Sequence, residues 1–419
     1  MPEGIRSTIP DLLMAFSGAL DSACPEHPNH HKIVAYLSLR IAEEMGLSPV
    51  EKSNLLSASL IHDAGLLLVL SEELRRQGFT PEMARIILYH HASWEDVKDP
   101  NKNYVLKAIM KFTSEEVPFS SFILHLADIV AISLDPYRFV LQQVEEINRR
   151  IKETAGKKLP REVVEAFLKI STKEHIWLEL FSHHLNSYVY NFFPPPVSIL
   201  NTRDVLSFAE LICDFIDFKS LFTAVHSRGV TETAEILARF FQFSDTDREM
   251  IKIAGYLHDL GKLAIPVELL EKQDKLGEEE FQLMKAHAFY TYEILSDIKG
   301  FETIREWAAL HHERLDGSGY PFHLKGEDLS LGARIMAVAD VFSALREKRP
   351  YRRVMGKNDI ARILQKQGEE GKLDREVISL LLSNYEEIDS RFLDVQFASY
   401  TRYQNLWSYL ISILAPREL

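Results

Sequence analysis

HHERLDGSGYP, residues His311 to Pro321, sets two adjacent imidazoles and a carboxylate ahead of a glycine-rich turn. Upstream, in LHDLGK (residues 257 to 262), His258 and Asp259 stand side by side where the apolar helical run Met250 to Leu257 ends. Ionisable groups buried at a helix end need charged partners or a metal. His226 precedes His258 by 32 residues, within VHSRGVTETAEILARFF, where Val230, Ala234, Leu237 and Phe241 recur at helical spacing. It is therefore expected to project from a neighbouring helix toward the same place. His287, in LMKAHAFY, lies on a further helical run, and Asp340 ends the small apolar run IMAVAD.

The candidate ligands are thus His226, His258, Asp259, His287, His311, His312 and Asp340. Five imidazoles and two carboxylates exceed what one ion takes and suit two divalent transition-metal ions sharing a bridging carboxylate. Mixed nitrogen and oxygen donors favour iron or manganese over a thiolate-type structural zinc site, with nickel, cobalt and zinc as further candidates. Two ions held roughly 3.5 to 4 Å apart generate a hydroxide and clamp both oxygens of a phosphoryl displacement. Phosphoester hydrolysis is the expected chemistry.

On these residues, the segment from Phe218 to Arg353 resembles an HD-GYP domain, the branch of the HD superfamily that hydrolyses cyclic dinucleotides. The resemblance rests on His226-Ser227, the HDLGK run, His287, HHERLDGSGYP, Asp340 and the closing RPYR at Arg349 to Arg352. It implies an all-α domain whose dinuclear centre, through a metal-bound hydroxide, opens cyclic di-GMP or 3',3'-cyclic GMP-AMP to the linear dinucleotide. It also implies that Asp259 bridges the metals, with His226, His258 and Asp340 around one ion and His287, His311 and His312 around the other. Lys262 would stabilise developing charge on the phosphate, and Arg314, Gly319, Tyr320 and Pro321 would line the nucleotide entrance. The chain departs from the family pattern at Phe222, where members with a third metal carry glutamate, so a two-metal site is expected. Ser343 replaces a frequent aspartate, and Leu373-Asp374-Arg375 only loosely echoes the usual Phe-Asp-Pro.

The first half of the chain repeats the frame. His30 precedes His62-Asp63 by the same 32 residues, LLSASLIHDAG parallels IKIAGYLHDLG, and His90-His91 parallels His311-His312. LADIV around Asp128, followed by the PYR of Pro136 to Arg138, parallels VADVF around Asp340 and the PYR of Pro350 to Arg352. This half resembles a second, degenerate HD domain: Leu66 replaces the lysine, no histidine stands between Asp63 and His90, and HHASWED lacks the arginine and the glycine turn. His30, His62, Asp63 and Asp128 would suffice for one weakly held metal, with His90 or His91 close by, and His31 is expected to be a solvated helix residue.

A chain of 419 residues is too long for one ordinary core. The proline run after Phe192-Phe193 cannot continue a helix, which places domains at residues 1–193 and 194–419. Leu, Ala, Glu, Lys and Ile dominate and no series of alternating strands is evident, so the expected architecture is all-α, two helical bundles in tandem. The aromatic run HIWLELFSHHLNSYVYNFF caps the first bundle or forms the seam of a homodimer. A formal net charge of −13 argues against a grip on a nucleic-acid polymer but not against a small anionic ligand at a metal site. Cys24 and Cys213 form no metal or disulfide pattern, and no basic leader or membrane-length apolar run occurs; a cytoplasmic protein is expected. Besides cyclic dinucleotide hydrolysis, two readings remain open at this level: another HD-type phosphohydrolase, and a regulatory module that senses a nucleotide.

Overall fold

The computed structural model describes the chain apart from residues 1–4, 23–25, 65–79, 101–102, 104–105, 108–109, 111–115, 195–198, 220–225, 273, 348–354 and 415–419. The described residues are all-α: their β content is two isolated bridges, Ala155 with Leu159 and Asp316 with Lys325. Two compact units form. One comprises Thr8–Ser198 with Leu406–Leu419, the other Ile199–Asn405 with Met1–Ser7. Residues 5–7 thus group with the second unit, where Leu200 N donates to Ser7 O at 2.9 Å. Of the expected proline junction, Pro195 and Pro196 lie outside the described residues.

The first unit contains α1 (Ile9–Ser22), α2 (His30–Glu44), α3 (Pro49–Leu60), α4 (Pro81–Tyr89), α5 (Trp94–Lys98), α6 (Ser120–Ser133), α7 (Val144–Thr154), α8 (Arg161–Ile170), α9 (Glu174–Leu180) and α10 (Leu185–Tyr190). Helix α2 is central, packing on α1, α3, α6, α8 and α10. Its sequence HHKIVAYLSLRIA is buried on every side except at Arg40, as a surrounded helix must be. The aromatic run closes onto this same unit: Trp177 is buried beside Phe167, and its indole N–H donates to Ser171 O at 2.9 Å.

The second unit contains α11 (Thr202–Lys219), α12 (His226–Phe240), α13 (Asp245–Leu257), α14 (Val267–Leu270), α15 (Glu278–Ser296), α16 (Glu302–Ala309), α17 (Leu331–Arg346), α18 (Lys357–Glu369), α19 (Arg375–Ser383) and, as far as Asn405, α20 (Tyr385–Leu414). Helix α12 packs on α13 and α17, and α15 packs on α16 and on the 3₁₀ turn Leu260–Ala264. Helix starts are set locally. Ser244 caps α13 by accepting from Asp247 N, and Ser48 caps α3 in a reciprocal capping box with Glu51. In each unit the capping serine lies 18 residues after the first histidine and 14 before the second.

Candidate metal centre

Each candidate ligand of the second unit sits at a helix terminus or on a buried face. His226 opens α12, His258 follows the last turn of α13, His287 faces inward from the middle of α15, His311 and His312 follow α16, and Asp340 lies on the buried side of α17. His258, Asp259, His287 and His311 are at most 1% exposed. Three of the histidines share one tether. His258 Nδ1 donates to Gly255 O at 2.8 Å, His287 Nδ1 to Met284 O at 2.5 Å, and His311 Nδ1 to Ala308 O at 2.7 Å. A ring whose Nδ1–H is committed to the carbonyl three residues back keeps its lone pair on Nε2, as a metal ligand requires.

Those Nε2 atoms converge. His287 Nε2 lies 3.4 Å from His311 Nε2, and His258 Nε2 is buried with no hydrogen-bond partner among the described residues. Asp259 presents one oxygen to each side, Oδ2 at 3.2 Å from His258 Nε2 and Oδ1 at 3.5 Å from His287 Nε2. Asp340 does likewise, Oδ1 at 3.1 Å from His226 Nε2 and Oδ2 at 3.6 Å from His312 Nδ1. The donors fall into two groups able to hold an ion each, His226-His258-Asp259 and His287-His311-His312. Converging imidazole lone pairs, one of them orphaned, and two buried carboxylates are the donor set that divalent transition ions take, so the residues fit such a pair.

The electrostatics divide the histidines. Burial holds His287 at about 4 and His311 at about 3, overriding the pull of the nearby carboxylates, and pushes His312 well below the usual imidazole value. His226 is raised to about 10: burial opposes its charge, but Asp340 and Glu347 together outweigh that penalty. Asp259 and Asp340 are held well below the usual carboxylate range despite burial, Asp259 by His258 and Lys262, Asp340 by His226 and His312. Lys262 Nζ donates to Asp259 Oδ2 at 2.5 Å, so its ammonium sits at the edge of the cluster.

The glycine turn packs on this centre. The Tyr320 ring lies 4.8 Å from that of His312, and Tyr320 N donates to His312 O at 3.2 Å. A Cβ on Gly319 would strike the backbone at Glu313 and Arg314, so only glycine lets the turn fold this tightly. Arg314 Nη1 is buried without a hydrogen-bond partner among the described residues. Pro321 precedes Phe322, whose N–H donates to Glu313 Oε1 at 2.7 Å, while Leu324 N donates to Oε2 at 3.0 Å.

Three positioning residues escaped the sequence reading. Glu313, 1% exposed, staples the glycine turn. Glu347, the residue that ends α17, lies 3.5 Å from His226 Nδ1 and seven residues beyond Asp340. Thr291 accepts from Gly261 N at 2.9 Å and donates to His258 O at 3.0 Å, clamping the HDLGK turn to the helix that carries His287. A Cβ on Gly261 would meet the backbone of His287 and Thr291, which explains the glycine. Asp374 caps α19 by accepting from Glu376 N and Val377 N, with Arg375 where a proline would start the helix. Ser343 is fully buried beside this frame, whereas Phe222 and Arg349 to Arg352 lie outside the described residues.

In the first unit, His30 Nε2 stands 3.3 Å from His62 Nε2 and 3.2 Å from Asp128 Oδ1, and His62 Nε2 stands 3.6 Å from Asp63 Oδ1. His31 is not solvated as the sequence suggested. It is 3% exposed and donates Nδ1–H to Asp21 Oδ1 at 2.8 Å, because α2 is enclosed and has no free face for it. Of the second histidine pair, His90 is buried and His91 exposed; Leu66 lies outside the described residues.

The family model described as an HD domain matches residues 210–377. A protein of Vibrio cholerae, the 3'3'-cGAMP-specific phosphodiesterase 1, is 30% identical over 398 residues, 88% of this chain and 90% of that protein. The chain belongs to the HD-GYP phosphodiesterases. Within this group of metal-dependent hydrolases, the cyclic di-GMP phosphodiesterase response regulator RpfG of Xanthomonas campestris is 42% identical over 139 residues, 33% of this chain and 37% of its own. The crystal structure of a cyclic GMP-AMP specific phosphodiesterase of Vibrio cholerae, V-cGAP3, shares the fold of this HD-GYP phosphodiesterase. The TM-score is 0.64 at 23% identity, covering 91% of this chain and 98% of that one.

Proposed function

We propose that this HD-GYP phosphodiesterase hydrolyses a 3',3'-linked cyclic dinucleotide, cyclic GMP-AMP ahead of cyclic di-GMP, to the linear dinucleotide. The observation that carries the reading is the pair of ligand groups joined by Asp259, with the Tyr320 turn packed directly against His312. The choice of cyclic GMP-AMP is supported by the relative that matches nearly end to end, whose name specifies that substrate.

In this reading His226, His258 and Asp340 would hold one ion and His287, His311 and His312 the other, with Asp259 shared by both groups. When bound, a pair of divalent ions supplies an activated water and neutralises charge on the phosphoryl oxygens. The chain's own groups do the rest. Carbonyl tethers keep each Nε2 aimed inward, and burial keeps His287 and His311 unprotonated at neutral pH. Lys262, anchored on Asp259, holds a positive charge where the phosphate enters. Arg314 and the Tyr320 ring offer a guanidinium and an aromatic face for phosphate and base. Water oxygen ends on phosphorus, the bridging ester bond breaks, and the leaving sugar oxygen takes up the proton, giving one phosphomonoester and one hydroxyl.

The deciding experiment is side-by-side hydrolysis of cyclic GMP-AMP and cyclic di-GMP by protein purified without oxygen, with metal quantified on the same sample. Faster turnover of cyclic GMP-AMP is expected. A chain fully loaded at the second unit that opens neither substrate would overturn the proposal.

A further inference from the structure

The activity proposed above makes no use of the first unit's histidines, yet they are prepared in the same way as those of the second. His62 Nδ1 donates to Ser59 O at 2.9 Å and His90 Nδ1 to Ile87 O at 2.6 Å, the same tether to the carbonyl three residues back. His31 reaches the same state by another route, since its Nδ1–H is committed to Asp21. All three therefore carry their lone pair on Nε2. The Nε2 atoms of His31 and His90 are buried with no hydrogen-bond partner among the described residues, although burying a polar atom unpaired is costly. His31 Nε2 faces Asp63 Oδ2 at 3.5 Å, and the same carboxylate oxygen lies 3.8 Å from His30 Nε2.

A proton on His30 or His62 would satisfy Asp128, the carboxylate that both rings approach, at 3.2 Å and 3.7 Å. It would leave the lone pairs of His31 and His90 without a donor. One divalent cation among His30, His62 and Asp63, whose donor atoms lie within 4.8 Å of one another, would lie beside both of these rings, which stand 4.8 Å and 5.4 Å from that of His62, and mixed imidazole and carboxylate donors without thiolate suit a first-row transition ion. His31 is the feature that distinguishes this site from the second unit, where the residue after the first histidine is Ser227.

We propose that the first unit binds one divalent transition-metal ion through His30, His62, Asp63 and Asp128, with His31 and His90 turned toward it. Asp21 is the outer carboxylate that orients His31. The ion ties together the start of α2, the turn after α3 and the middle of α6. In this proposal the ion acts as a structural cross-link.

The test uses the full chain with the second unit's centre disabled by Asp259→Asn and His311→Gln. The chain is stripped with a chelator and dialysed to equilibrium against Co(II) alone. One ion per chain with a visible ligand-field band is expected, together with a metal-dependent rise in thermal midpoint. Adding His31→Gln and His62→Gln should abolish both while the helical circular dichroism is unchanged. Retention of the ion by that variant would overturn the proposal. So would failure of the Asp259→Asn, His311→Gln chain to bind Co(II) under conditions that load the wild-type chain, a result that holds even if the further variant does not fold. Neither arm depends on which nucleotide, if any, the enzyme opens.

Discussion

Asp259 meets three partners at once: His258, His287 and Lys262. No other side chain can replace a carboxylate that turns one oxygen toward each ligand group. Asp259→Ala is therefore expected to release bound metal and lower turnover by about 10³-fold or more, read by metal analysis and hydrolysis on one sample; retained metal would show that Asp259 is not shared. Lys262→Ala separates charge from ligation. It should keep the metal content and slow turnover by about 10²-fold with a smaller change in KM. Full activity in that variant would remove Lys262 from the reaction and leave it as a counter-ion of Asp259.

At the scale of elements, the centre depends on how the HDLGK turn is pressed onto α15. Thr291→Val keeps the shape of the side chain but strips Gly261 N–H and His258 C=O of their buried partner. A loss of about 2 kcal/mol or more is expected from unsatisfied groups, seen as a lower denaturant midpoint at unchanged slope. Ser244→Ala removes only the cap of α13 and should cost about 1 kcal/mol. A Thr291→Val loss no larger than that of Ser244→Ala would mean that the turn is held by packing alone. The same serine-capped helix leads to the HD pair in both units, and in the second Gly261 lets α15 approach.

For the whole second unit, burial sets the response to acid. His287 and His311 titrate near 4 and 3 when folded but near the ordinary imidazole value of about 6.5 when unfolded. The unfolded chain thus takes up protons first, and stability falls as pH drops from about 6.5 toward 4. His226, raised to about 10, acts in the opposite direction: its contribution is complete below about 6.5 and is lost as pH climbs through 10. Chelator-treated protein should accordingly be most stable near pH 6.5 to 7, as measured by denaturant unfolding across pH. Stability that holds flat between pH 7 and 4.5 would contradict the buried, neutral state of the pair.

Much of the centre was legible without coordinates, because His226, His258-Asp259 and His311-His312 mark the ends of amphipathic helices. His258-Asp259 after an apolar run, His311-His312 before a glycine turn, and a 32-residue gap seen twice could each be read from periodicity and order alone. The all-α fold followed from the same patterns. What the linear chain did not contain were the pairings made across helices. Thr291 lies 30 residues from Gly261 and Glu347 far from His226, and neither side chain announces a partner. His31 seemed exposed because adjacent residues on a helix normally diverge, and only the enclosure of α2 on all sides buries both members of the pair. Sequence by itself determined the chemistry of the donors and the order of the helices, since residue type and spacing are local properties. The tertiary structure alone decided which lone pairs converge and which side chains hold them there, since burial and hydrogen-bond partners depend on segments far apart in the chain.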